Sequence, residues 1–183
     1  TYNNKKVIVP GKTLNEISKI LSGDADKDVS IFFTGKHIIF EFDNTTVVSR
    51  LIEGEYFKID NMLSSDYETK VTINKKELYD SIDRAMLLVK EGDKKPIILN
   101  INDTEVELKI SSALGRLDES ISITKQGKDI LIGFNPKFMM DALRVIEDEE
   151  INIYLVNPKA PCFIKNSEET YIYMVLPVNF TTV

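Results

Sequence analysis

The chain has 183 residues, 43% hydrophobic and 28% charged, with 23 basic against 29 acidic side chains and a formal net charge of -6. No run reaches the roughly eighteen apolar residues of a membrane helix, and a single cysteine excludes a disulfide framework, which makes a reducing cytoplasm the natural setting. The acidic total argues against a protein that grips nucleic acid over its whole surface, since phosphate binding rests on neutralising charge with Lys and Arg.

The predicted elements come in a repeating order. Val7, Ile8 and Val9 predict a short strand, and Lys12 to Leu21 an amphipathic helix with Leu14, Ile17 and Leu21 on its apolar stripe. Strands follow at Ser30 to Phe33, His37 to Phe42 and Thr46 to Leu51, with turns at Thr34-Gly35-Lys36 and Asp43-Asn44. Glu55 to Lys70 breaks the rhythm and places a domain boundary near Ser64-Ser65. A second strand-helix pair then runs through Val71 to Ile73 and Lys76 to about Val89, with Leu78, Ile82 and Ala85 as the stripe. Strands are predicted at Pro96 to Ile101, Glu105 to Ile110 and Ser120 to Thr124. The third copy opens at Leu131 to Phe134, continues as a helix from Pro136 to Ile146 with Met139, Leu143 and Ile146 inward, and ends in strands at Ile151 to Val156, Cys162 to Lys165 and Tyr171 to Val178.

Laid over one another, Lys12, Lys76 and Lys137 coincide, as do Leu14, Leu78 and Met139, and each strand-to-helix turn carries Pro10, Asn74 or Asn135. A unit of about fifty residues that recurs in this way buries its apolar face only against a neighbour. Helices joined by antiparallel hairpins, without alternation of strand and helix, give an α+β layer fold. Residues 1–64 are expected to form half of one domain plus a linker, and residues 65–183 a complete one. The chain opens without Met and almost at a strand, the pattern expected of a piece of a longer protein.

Basic residues gather on the helices, in Lys12, Lys19, Lys75, Lys76, Arg84, Lys137 and Arg144, while acid gathers at Asp24, Asp26 and Asp28, Glu53 and Glu55, Asp118 and Glu119, and Glu147 to Glu150. The plain reading is a set of solvated helix faces; the sharper one is a basic inner surface on an acidic body. Catalysis finds little support. His37 is the lone histidine and leads into a strand, so a Ser-His-Asp or Cys-His arrangement would depend on it. Cys162 reads as a small buried hydrophobe, and one Cys with one His cannot build a four-ligand zinc site. Asp24, Asp26 and Asp28 have the opening spacing of a calcium loop, but Val29 stands where its glycine belongs and Gly35 where its glutamate belongs. No Gly-rich phosphate loop is present, so no cofactor and no metal are expected.

The paired strand-helix-three-strand units, Val7-Ile8-Val9-Pro10, Leu51-Ile52-Glu53-Gly54-Glu55-Tyr56, Arg84-Ala85-Met86-Leu87-Leu88 and Tyr173-Met174-Val175-Leu176-Pro177-Val178 together resemble the bacterial sliding clamp, the beta subunit of DNA polymerase III. The resemblance covers essentially the whole chain, as the second half of the family's middle domain and its complete third domain. It implies a clamp fold with helices inside and antiparallel sheets outside, in a ring that encircles duplex DNA without reading it and serves as a cytoplasmic, non-catalytic processivity factor. On that basis Lys12, Lys19, Lys76, Arg84, Lys137 and Arg144 are the DNA-facing candidates.

The resemblance also implies a hydrophobic pocket for short linear peptides ending in a Leu-x-Leu-Phe-like sequence, through which polymerase, clamp-loader and repair proteins bind in turn. The matching positions are Phe57, Asn61, Met62, Asn135, Phe138, Pro161, Met174, Leu176, Pro177, Val178, Asn179 and Phe180. Phe180 stands out, as an aromatic beyond the last paired residue with little packing reason to be there. Two departures bear on the pocket's shape and preferred peptide: Phe57-Lys58-Ile59 replaces a Pro-Asp-Tyr step, and Asn179 with the extension Thr181 to Val183 replaces a basic residue. The family's other pocket wall precedes Thr1. Leu87, Leu88, Leu114, Leu117, Glu119 and Ile121 match the third domain's half of a head-to-tail dimer interface, and this piece is expected to be a monomer. The rival reading is a non-enzymatic repeat scaffold that binds peptides and never meets DNA.

Overall fold

The computed structural model describes residues 6–21, 28–56, 66–90, 92, 95–166 and 168–180. The chain divides into two compact units, Thr1–Leu63 and Ser64–Val183. The boundary expected near Ser64-Ser65 lies outside the described residues, as do Asp24 and Asp26 of the aspartate cluster.

The first unit contains helix α1 (Gly11–Ile20) and strands β1 (Ser30–Phe33), β2 (His37–Phe42) and β3 (Thr45–Arg50), in a three-stranded antiparallel sheet with β2 at the centre. Asp43 turns the β2-β3 hairpin with a φ of 49°, a conformation in which Asp is one of the few side chains at ease. Ile38, Phe40 and Phe42 alternate inward along β2 and meet Ile17 of α1 in a small core. The strand expected at Val7 to Val9 is a single bridge, Ile8 to Ile52. The stripe on α1 is also narrower than its periodicity predicts. Ile17 is buried, but Leu14 is 49% and Leu21 37% exposed. One helix on three strands covers only the row facing β2, and among the described residues this unit has no second helix to cover the flank.

The second unit carries two copies of the repeat. The first is β4 (Thr69–Asn74), α2 (Lys75–Met86), β5 (Ile97–Ile101), β6 (Glu105–Ser112) and β7 (Gly115–Gly127); the second is β8 (Ile130–Phe134), α3 (Pro136–Val145), β9 (Glu150–Leu155), β10 (Cys162–Lys165) and β11 (Ile172–Val175). Their strands form one antiparallel sheet in the order β11-β10-β9-β4-β7-β6-β5-β8. The opening strand of each copy thus completes the sheet of the other: β4 lies beside β9, and β8 beside β5.

The far ends of the sheet approach each other through a Phe134–Pro177 bridge and a 2.9 Å bond from the Val178 N–H to the Gly133 carbonyl. The last strand expected over Tyr171 to Val178 therefore stops at Val175, because Pro177 has no N–H to continue a ladder. β7 is longer than the predicted Ser120 to Thr124, since its first part pairs with β6 and its last part with β4. At its end Gly127, opposite Thr69, has a φ of 101°, and a Cβ there would lie 1.9 Å from the Glu68 carbonyl oxygen. α2 ends at Met86 rather than near Val89, winding down through three-residue bonds such as Leu88 N–H to Ala85 O.

Both helices pack on one face of this sheet. Leu78, Ile82, Ala85, Met139 and Leu143 join Val71, Ile73, Ile132, Phe134, Ile151 and Ile164 in a single core. Cys162 belongs to it, and burial pushes its thiol up to about 12, so it stays protonated and unreactive. His37 is exposed on β2, opposite Arg50. Among the described residues no group of three His, Cys, Asp or Glu side chains could hold a metal ion, and no helix is long and apolar enough to cross a membrane.

Candidate functional site

The helix openings position the cations. Asn74 and Asn135 both cap through the side chain, accepting from the Glu77 N–H and the Lys137 N–H at 3.0 Å. Lys76 and Lys137 consequently occupy the same second position of α2 and α3, both exposed. Their surroundings differ: Lys76 is paired with Asp80, whereas Lys137 has no ion pair among the described residues. In α1, Lys19 pairs with Glu16 at 3.0 Å, and Lys12 is exposed with no ion pair among the described residues. Arg144 lies 3.8 Å from Asp141.

Arg84 is engaged most firmly. Its Nε and Nη2 donate to the two carboxylate oxygens of Glu119, each at 2.7 Å, and Ser81 Oγ donates to the same carboxylate at 2.6 Å. Those bonds hold the Glu119 carboxyl below its ordinary range and raise the guanidinium further. A cation so held has less to offer a phosphate.

Where α2 begins and α3 ends there is a cleft of about 810 Å³, whose walls include Lys75, Lys76 and Arg144 together with Glu147, Asp148 and Glu149. The Lys75 Nζ donates to the Ile146 carbonyl at 2.9 Å, satisfying the C-terminal end of α3. Asp148 accepts from the Tyr171 hydroxyl at 2.5 Å, and burial, together with this bond, pushes the phenol well above its ordinary range. The basic residues of this helix face are thus interleaved with acids.

The other face of the sheet carries part of the apolar set. Along β11 and the residue after it, Ile172, Met174 and Leu176 alternate outward while Val175 enters the core. Met174 pairs with Phe163, which pairs with Tyr154, which pairs with Lys70, so one row runs across four strands away from the helices. Pro161, half-buried, precedes β10. Pro177, Val178 and Phe180 are half-buried and Asn179 is exposed. Phe138, on the first turn of α3, is 55% exposed, and Asn135 is committed to its cap. Phe57, Asn61 and Met62 lie outside the described residues.

Phe180 does pack, contrary to expectation: its ring lies over Gly133 of β8. Sequence reasoning missed Gly133, although an isolated glycine inside a strand is the signal for a close backbone approach.

The interface candidates separate. Leu87 is 77% exposed and Leu114 is exposed, while Leu88 and Leu117 are half-buried against the core. Glu119 is half-buried by Arg84 and Ser81. Ile121 is a correction: it points inward from β7 into the unit's own core, so its side chain is not available to a partner. Residues 115–122 of β7 pair with β6 on one side, and β4 reaches only residues 123–127, so the other side of that segment carries no ladder among the described residues.

The family model for the DNA polymerase III beta subunit, C-terminal domain, matches residues 61–179, and that for its central domain matches residues 1–58. A beta sliding clamp from Staphylococcus epidermidis is 36% identical over 178 residues, covering 96% of this chain and 47% of its own length. A protein assigned as a DNA polymerase III beta subunit from Eubacterium rectale superposes with a TM-score of 0.84 at 70% identity, over 99% of this chain and 49% of that one. The Bacillus subtilis DNA polymerase sliding clamp does so at 0.79 and 33%, over 96% and 47%. The chain spans about half the length of these relatives. With two family models matched in sequence order over nearly all of its residues, and the same α+β fold in the relatives' structures, the chain belongs to the DNA polymerase III beta subunit family, the beta sliding clamps.

Proposed function

We propose that this chain serves in a sliding clamp, a cytoplasmic processivity factor that holds duplex DNA without reading it and tethers polymerase, clamp-loader and repair proteins by their short linear peptides. It does no chemistry itself. The observation that carries the reading is the division of the second unit: exposed cations on the helices of one face, and the exposed apolar side chains of Met174 and Leu176 on the other. A protein that must slide needs diffuse phosphate attraction and no base-edge contacts, which Lys12, Lys19, Lys76, Arg84, Lys137 and Arg144 would supply. A peptide anchor site needs an apolar surface with few polar groups, which Phe138, Pro161, Met174, Leu176, Pro177, Val178 and Phe180 would form, with Asn135 and Asn179 as its polar groups. Leu87, Leu114 and the unladdered side of residues 115–122 of β7 would meet the partner subunit of a head-to-tail dimer, and the 183-residue chain by itself would be monomeric.

The test is fluorescence-anisotropy titration of a labelled Gln-Leu-Ala-Leu-Phe peptide against the chain, with Phe180→Ala and Met174→Ala alongside. Saturable binding that both substitutions weaken by about tenfold supports the site. Binding that ignores them moves the site elsewhere, and no binding up to about 1 mM removes it from this chain.

The interleaving of acids with Lys75, Lys76 and Arg144 favours a second reading, a peptide-binding scaffold without DNA. Salt-dependent duplex binding separates the two.

A further inference from the structure

On the face of β8 away from the helices, Gly133 presents a bare Cα. A Cβ built there would lie 2.5 Å from Cδ1 and 3.1 Å from Cε1 of Phe180, and 3.0 Å from the carbonyl oxygen of Val178. Carbon atoms in contact sit about 3.5 to 4.0 Å apart, so a methyl group at this position displaces the ring. Gly133 is not among the glycines with positive φ. What the fold uses here is the missing side chain, not backbone freedom.

The rest of the seat comes from the same short stretch. The Gly133 carbonyl accepts the Val178 N–H at 2.9 Å, and Phe134 bridges Pro177. The chain then turns through Asn135 into α3, where Phe138 is exposed. Residues 133–138 therefore hold the C-terminal segment in place and also contribute two members of the proposed peptide surface. We propose that Gly133 is a positioning residue of that surface: by lacking a side chain it fixes the Phe180 ring, and with it the segment from Leu176, where an apolar peptide end packs. This rests on the peptide-site reading above.

A double-mutant cycle tests it, using the same labelled peptide on the unsubstituted chain, Gly133→Ala, Phe180→Ala and the double variant, with a melting curve for each. Gly133→Ala should weaken binding about tenfold when Phe180 is present and leave it unchanged once Phe180 is Ala. A purely structural role would cost the same in both backgrounds and overturn the proposal, as would Gly133→Ala binding like the unsubstituted chain. Should Gly133→Ala fail to fold, the double variant decides, because removing the ring removes the tightest contact and leaves only the 3.0 Å approach to the Val178 carbonyl oxygen. It must then fold and bind like Phe180→Ala, and a double variant that also fails to fold overturns the proposal. Absence of binding by the unsubstituted chain is a different result, since it removes the peptide site and this inference with it.

Discussion

Glu119 shows what a single residue contributes that sequence could not disclose. It accepts two bonds from Arg84 and one from Ser81, partners 35 and 38 positions away, and no periodicity links them. The sequence makes Arg84 a DNA-facing candidate and Glu119 an interface candidate; folded, the two fasten α2 to β7. The sign of the pH effect follows from the direction of the shift. Glu119 has its pKa lowered by the folded state, so its contribution is present at neutral pH and is lost as pH falls through the ordinary carboxylate range and below. We expect Glu119→Gln to lower the melting temperature at pH 7 and the difference from the unsubstituted chain to shrink steadily in acid. The pair is partly exposed, so added salt should reduce the effect as well. A melting difference that stays constant from neutral to acid pH would show that the carboxylate's charge is not what holds the contact.

At the level of elements, the strand-to-helix turns were the most legible feature, because a cap is a local device. Asn74 and Asn135 stand where the sequence ends a strand and opens an apolar stripe, and each accepts a backbone N–H of the first turn. Pro10, at the same place in the first repeat, has no such side-chain bond. Replacing either asparagine by alanine should cost about 1 kcal/mol of stability, read as a shift in a denaturant midpoint, whereas Pro10→Ala has no side-chain cap to lose. Equal losses at all three positions would mean that backbone rigidity rather than capping sets these turns. Less legible were features fixed by neighbours distant in sequence. The stripe on α1 has the same period as those on α2 and α3, but burial of Leu14 and Leu21 depends on a covering layer that periodicity does not supply. β7 likewise owes its length to two different partners, one on each side.

For the molecule as a whole the proposed function raises the question of how a chain of net charge -6 would hold DNA. The acidic body repels phosphate at long range, so attraction must come from cations that face the duplex and are not already neutralised. Lys19, Lys76, Arg84 and Arg144 each sit beside a carboxylate, whereas Lys12 and Lys137 have no ion pair among the described residues. A paired cation must give up its carboxylate before it neutralises a phosphate, so it releases less than one counterion's worth of free energy on binding. An unpaired one acts at full strength. Duplex binding, measured by anisotropy between about 50 and about 200 mM salt, should therefore lose about one unit of its logarithmic salt slope in Lys137→Gln and visibly less in Arg84→Gln. The affinity of Lys137→Gln should fall alike for unrelated sequences, because a phosphate contact carries no base information. If Arg84→Gln flattens the slope as much as Lys137→Gln, the bond to Glu119 yields readily to phosphate, and the division into free and committed cations fails. If neither changes it, the helix face is not where this chain meets DNA, and the scaffold reading takes its place.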